Sequence, residues 1–203
     1  GGDGQDRIDG GTGADVMRGG LGDDIYIVDN VGDTIAEVEG TDGDAVHVKL
    51  ASYVLPDHVE KLVGLSAAGQ TLTGNAVTNT IVGGNGADRI DGGGGIDMLQ
   101  GGRGNDIYYV DQPGDIVTEL ANEGTDTVFT TGPYSIGGSH VEKLVLTGNA
   151  DAYITGNTLA NELTANNSDN MLDGSGGSDI LTGGGGADTF QFSTALGAGN
   201  IDT

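Results

Sequence analysis

One apolar position in nine keeps its place along much of the chain. Ile8, Met17 and Tyr26 stand nine residues apart, as do Ile90, Leu99 and Tyr108, and again Leu181 and Phe190. The six residues ahead of each strand segment are glycine-rich and polar. From Gly1 the chain reads GGDGQDRID, GGTGADVMR, GGLGDDIYI; from Gly83, GGNGADRID, GGGGIDMLQ, GGRGNDIYY; from Gly174, GSGGSDILT, GGGGADTFQ. The pattern predicts a short strand over the last three positions of each nonapeptide, its eighth residue facing a core, and a tight turn over the first six. Glycines at positions 1, 2 and 4 are expected to supply positive φ angles there. Weaker copies keep the same frame: GNAVTNTIV from Gly74, GNTLANELT from Gly156 and ANNSDNMLD from Ala165.

A longer period lies above the short one. Gly19, Gly101 and Gly183 are 82 residues apart, and HVEKLV occurs at His58–Val63 and again at His140–Val145. The chain therefore divides into repeat blocks at Gly1–Ala36, Gly74–Thr118 and Gly156–Gln191, with connectors at 37–73 and 119–155 and a truncated continuation at 192–203. Solenoids need about three repeats or more for stability, so the connectors are expected to continue or cap the stack. Ala45–Val48, Val59–Leu65, Asp126–Phe129 and Val141–Leu146 read as strands. One continuous parallel body is the first expectation, and short rolls bridged by β-caps the second.

Composition narrows the partners. Glycine accounts for 41 residues and proline for only 3, which excludes collagen and, given the period, a disordered linker. With 31 Asp and Glu against 7 Lys and Arg, the formal charge is −24. Nucleic acid is excluded as a partner, because phosphate binding needs a basic face. Acidic polysaccharide is disfavoured for the same reason. Clustered carboxylates suit a hard cation instead. There is no cysteine, hence neither disulfide nor thiolate site, and no apolar run approaches the ~20 residues of a membrane span. The chain begins inside a motif, and so reads as a fragment of a longer protein.

The GGxGxD strings resemble the RTX, or haemolysin-type, calcium-binding repeat, whose nonapeptides form a parallel β-helix. The resemblance implies an all-β fold: a right-handed parallel β-roll of 18-residue rungs, with alternate turns stacked on one edge about 4.8 Å apart. It also implies that each calcium lies between stacked turns, held by sixth-position Asp side chains and by carbonyls at positions 1 and 3. Carried onto this sequence, the ligands in the first block are Gly1, Asp3 and Asp6; Gly10, Thr12 and Asp15; and Gly19, Leu21 and Asp24. In the second block they are Gly83, Asn85 and Asp88; Gly92, Gly94 and Asp97; and Gly101, Arg103 and Asp106. In the third they are Gly174, Gly176 and Asp179, and Gly183, Gly185 and Asp188. Asp6 pairs with Asp24, and Asp88 with Asp106.

The frame runs one step further, through VDNVGDTIA and VDQPGDIVT, where Asp33 and Asp115 keep the sixth place and pair with Asp15 and Asp97. Asn79, Asn161 and Asn170 hold that place in the weak copies, opposite Asp97, Asp179 and Asp188, as candidate weaker sites. About four good sites and up to about seven calcium ions are expected. Two carboxylates ~4 Å apart repel by about 1 kcal/mol in water and ~4 kcal/mol at an effective dielectric of 20. Without cations the roll is not expected to hold.

The duplicated His-Val-Glu strings (His58, Glu60; His140, Glu142) offer a nitrogen and an oxygen to zinc but no third ligand, and are read as structural. Glu60-Lys61 and Glu142-Lys143 read as surface ion pairs. No GxSxG, HExxH or other nucleophile–base pattern is present, so no enzyme is expected. The resemblance implies a secreted, extracellular region that folds on calcium and serves type I secretion and stability of an attached effector. The alternative is a structural or adhesive extender of a cell-surface adhesin that meets a surface ligand.

Overall fold

The computed structural model describes residues 1–37 and 43–194. In the first third lie β1 (Arg7–Asp9), β2 (Val16–Met17), β3 (Ile25–Val28), β4 (Thr34–Ile35), β5 (Ala45–Val48), β6 (Ser52–Val54) and β7 (Lys61–Gly64). The middle holds β8 (Thr71–Thr73), β9 (Thr80–Asn85), β10 (Arg89–Asp91), β11 (Met98–Arg103), β12 (Ile107–Val110), β13 (Ile116–Val117) and β14 (Thr127–Thr130). The last third adds β15 (Tyr134–Ser135), β16 (Lys143–Leu146), β17 (Tyr153–Thr155), β18 (Glu162–Thr164), β19 (Met171–Asp173), β20 (Ile180–Thr182) and β21 (Thr189–Gln191). No helix occurs among the described residues.

Every pairing is parallel and joins a strand to the next but one. The odd strands β1 to β13 form a seven-stranded sheet, the even strands β6 to β20 an eight-stranded sheet, and β15, β17, β19 and β21 a further four, with β2 beside β4. This is a β-solenoid of about ten turns. Three-residue strands suit it because each turn needs only one inward side chain per face. Those side chains stack in register: Ile8, Tyr26, Val46, Leu62, Ile81, Leu99 and Val117 on one face. On the other run Tyr53, Leu72, Ile90, Tyr108, Val128, Leu144, Leu163 and Leu181. One apolar cluster extends from Met17 to Leu172.

The eighth-position residues behave as expected in the interior, where Met17, Tyr26, Ile90, Leu99 and Tyr108 are buried. Phe190 is 43% exposed, since β21 is the last described strand and has a sheet partner on one side only. Strands from between the glycine-rich blocks join the same sheets: β5 and β7 lie between β3 and β9, and β14 and β16 between β12 and β18. Residues 38–42 of the first connector and 195–203 of the C-terminal continuation lie outside the described residues.

Residues 82 apart fall on opposite faces. Tyr26 is in the odd sheet and Tyr108 in the even one; β7 and β16, which carry the two HVEKLV strings, divide the same way. The cause is arithmetic, because an odd number of half-turns separates them.

Candidate metal centre

The turns build a ladder of carboxylates along each edge. The residue before each strand, the sixth of its nonapeptide, sends one side-chain oxygen back to the backbone N–H of the residue one turn earlier. Asp6 N–H donates to Asp24 Oδ1 at 2.8 Å, and Asp15 N–H to Asp33 Oδ1 at 3.2 Å. Asp88 donates to Asp106 at 2.7 Å, Asn79 to Asp97 at 2.8 Å and Asp97 to Asp115 at 3.1 Å. Asn161 reaches Asp179 at 2.8 Å and Asn170 reaches Asp188 at 3.0 Å. Each of these pairs is 18 residues apart. The sequence-derived partners are therefore neighbours in space.

One oxygen of each carboxylate is used in this way. In several of the glycine turns the other is not, although Asp6 Oδ2 accepts the Gly2 N–H at 2.9 Å. Oδ2 of Asp15, Asp24, Asp88, Asp97 and Asp106 is buried and meets no hydrogen-bond partner. A buried carboxylate oxygen without a donor costs several kcal/mol unless a cation faces it. The space beside it is kept open by glycine. A Cβ on Gly83 would clash with Asp88 Oδ2 and lie 2.9 Å from the Gly101 carbonyl oxygen. Built on Gly1, it would meet Asp6 Oδ2 and the Gly19 carbonyl; on Gly92, Asp97 Oδ2; on Gly174, Asp179 Oδ2; on Gly183, Asp188 Oδ2. Side-chain oxygen and turn carbonyl thus converge on one small cradle per turn, an all-oxygen donor set that fits calcium.

This corrects the expected role of the first glycine. The positive φ angles fall at positions 2 and 4, for instance +109° at Gly84 and +98° at Gly86. Position 1 is glycine for room, not for backbone freedom. Ser175, the one non-glycine second residue of the strong repeats, is held at φ +66°. Third-position residues serve the stacking of turns. Asp3 bridges Leu21, Asn85 pairs with Arg103, and Gly94 and Gly176 donate to the carbonyls of Asn75 and Asn157.

Outside the intact turns the second oxygen finds a donor. Asp33 Oδ2 accepts from Asp29 and Asn30, and Asp115 Oδ2 from Asp111 and Gln112, at 3.0–3.2 Å. Asn79 Oδ1 accepts from Asn75 while its amide donates to the Val59 carbonyl, and Asn161 repeats this with Asn157 and Val141. Here an N–H stands where the glycine turns offer an oxygen.

Gln70 holds the same slot, donating its N–H to Asp88 Oδ1 and its amide to the Leu50 carbonyl; its longer side chain hid it from the nonapeptide frame. Asp44 and Asp126 were missed for a different reason. They sit 20 residues after Asp24 and Asp106, a two-residue insertion, and receive those residues' N–H groups. Glu60 and Glu142 come only 16 residues later and reach Asp44 and Asp126 with their extra methylene. That role accounts for the duplicated His-Val-Glu. Lys143 pairs with Glu162, not Glu142, at 2.8 Å.

Burial raises the pKa of five carboxyls of the ladder. Desolvation lifts Asp44, Asp88, Asp97 and Asp126 to about 6 and Asp106 to about 7, against hydrogen bonds that lower them.

A parallel β-solenoid whose stacked turns converge carboxylate and carbonyl oxygens defines a class of cation-dependent repeat protein. Residues 1–35, 71–110 and 155–190, more than half of the chain, match the RTX calcium-binding nonapeptide repeat (4 copies). The chain belongs to that family. Its repeats bind calcium, and the family implies a secreted, extracellular protein. No curated protein matches the chain. Among the described residues no helix is long and apolar enough to cross a membrane.

Proposed function

We propose that this region is a calcium-triggered folding module, unfolded where calcium is scarce and folded outside the cell, which aids type I secretion and stabilises an attached effector. The observation that carries the reading is the row of buried Oδ2 atoms without donors at Asp15, Asp24, Asp88, Asp97 and Asp106. Each is a local cost in the absence of cation and a ligand in its presence, so calcium and folding are linked. Gly10, Gly19, Gly83, Gly92 and Gly101 leave the room beside these oxygens. Asp33 and Asp115 close those of Asp15 and Asp97, since a carboxylate oxygen has lone pairs beyond the one that takes an N–H. The test is far-UV circular dichroism. In EDTA the β signal should be largely lost, and millimolar Ca²⁺ should restore it, because extracellular modules bind at ~10⁻⁴–10⁻³ M. An unchanged β spectrum in chelator sinks the reading.

The unbroken apolar cluster from Met17 to Leu172 favours a second reading, a rigid extender of a surface adhesin. In calcium, its scattering-derived length should then grow in proportion to the number of 82-residue units joined in tandem.

A further inference from the structure

We propose that Asp106, Glu119 and Asp126 form a separate calcium site where the glycine turns give out, and that Asp24, Glu37 and Asp44 form a second copy of it. The proposal deepens the calcium reading above and rests on it.

Glu119 stands 18 residues after Gly101, where a regular stacked turn would carry its first glycine. Its side chain enters the space that such a glycine leaves open. Oε1 accepts the N–H groups of Gly101 at 3.1 Å and Gly102 at 3.3 Å, and also the Tyr108 hydroxyl. Oε2 is buried and has no hydrogen-bond partner, and the same is true of Asp106 Oδ2. Asp126 Oδ1 accepts the Asp106 N–H at 2.8 Å.

One oxygen from each of the three carboxylates lies within 4.8 Å of the other two. The residues are 1%, 2% and 1% exposed. Among the described residues no cationic side chain forms an ion pair with Asp106, Glu119 or Asp126. Three carboxylates without nitrogen or sulfur select a hard cation, and donors from three separate chain segments suit the larger, more tolerant Ca²⁺ over Mg²⁺.

The constellation occurs twice, in different settings. Oxygens of Asp24, Glu37 and Asp44 also lie within 4.8 Å of one another. A Cβ on Gly19 would meet Asp24 Oδ2 and the Tyr26 hydroxyl, as one on Gly101 would meet Asp106 Oδ2 and the Tyr108 hydroxyl. Yet Asp24 and Asp44 lead into odd strands, and Asp106 and Asp126 into even ones. Glu37, Asp44, Glu119 and Asp126 all fall outside the segments that match the repeat. A cation held here ties β12, β13 and β14 together at the step where the 18-residue spacing lengthens to 20. Three carboxylates in place of two make this class of site tighter than the repeat sites.

The experiment loads the full chain with Ca²⁺, removes the excess, and follows release into a fluorescent chelator. Two ions should leave about tenfold or more slowly than the rest. Glu119→Gln should convert one slow ion to fast, and Glu37→Gln with Glu119→Gln both, with the β spectrum at saturating Ca²⁺ retained. Release from Glu119→Gln identical to the parent's overturns the proposal and leaves calcium-coupled folding standing. No calcium-dependent folding of the parent overturns the broader reading instead. A second measurement needs no acidic substitution. Tyrosine-sensitised Tb³⁺ luminescence should be strong in the parent and largely lost in Tyr26→Phe/Tyr108→Phe, and its persistence there counts equally against the sites.

Discussion

At the residue scale, two atoms decide what each turn can do: the second oxygen of the sixth residue and the missing Cβ of the first. Asp97→Asn keeps an oxygen for the Asn79 N–H but removes the charge. It should shift the calcium midpoint of folding upward by several-fold while the saturated spectrum stays β. Gly83→Ala should do as much or more, because its methyl group occupies the cradle between Asp88 and the Gly101 carbonyl. His58→Ala, at an exposed residue, should leave the midpoint nearly unchanged. A calcium titration monitored by circular dichroism separates the three. If Gly83→Ala titrates like the parent, the cradle is misplaced.

Single elements here are too short to stand alone. Strands of two to six residues gain stability only from the columns of inward side chains that they align. Leu72 and Leu144 are fully buried in the even-face column. Replacing either with Ala should cost about 2–5 kcal/mol, read as a fall in melting temperature in saturating calcium. Leu120, 56% exposed, should tolerate the same change with about 0.5 kcal/mol or less. Equal effects at Leu120 and Leu144 would mean that the column is not the core.

Over the whole molecule, charge and pH act together. Five carboxyls of the ladder, Asp44, Asp88, Asp97, Asp106 and Asp126, have folded pKa values of about 6 to 7, above the ordinary 3.8. A carboxyl raised in this way favours the fold when protonated. That contribution is full below about pH 4, is lost as pH rises through 6 to 7, and leaves the chelated fold weakest above that. In EDTA, acidification from pH 8 to about pH 5 should therefore recover part of the β signal. Calcium, which needs the ionised carboxylates, should be bound more weakly at pH 5 than at pH 8. A chelated chain that gains no β structure on acidification would show that the buried acids do not govern its stability.

Much of this was legible in the chain because both signals are local. The nonapeptide period is a direct readout of turn and strand, since each turn needs glycine at set places and each strand one inward side chain. Asp6, Asp24, Asp88 and Asp106 could be paired by counting eighteen. The counting fails where the rungs change length. Asp44, Asp126, Glu60 and Glu142 belong to the ladder at spacings of 20 and 16, and only stacked backbones reveal that a longer side chain or a two-residue insertion still delivers an oxygen to the same N–H. Glu119 is the clearest case. In sequence it is an acid beyond the repeats; in space it replaces a glycine and faces Asp106 and Asp126. Sequence determined the period, the core positions and the cation. Tertiary structure decided which oxygens find a donor and which are left for a metal, because that depends on the neighbouring turn, 16 to 20 residues away.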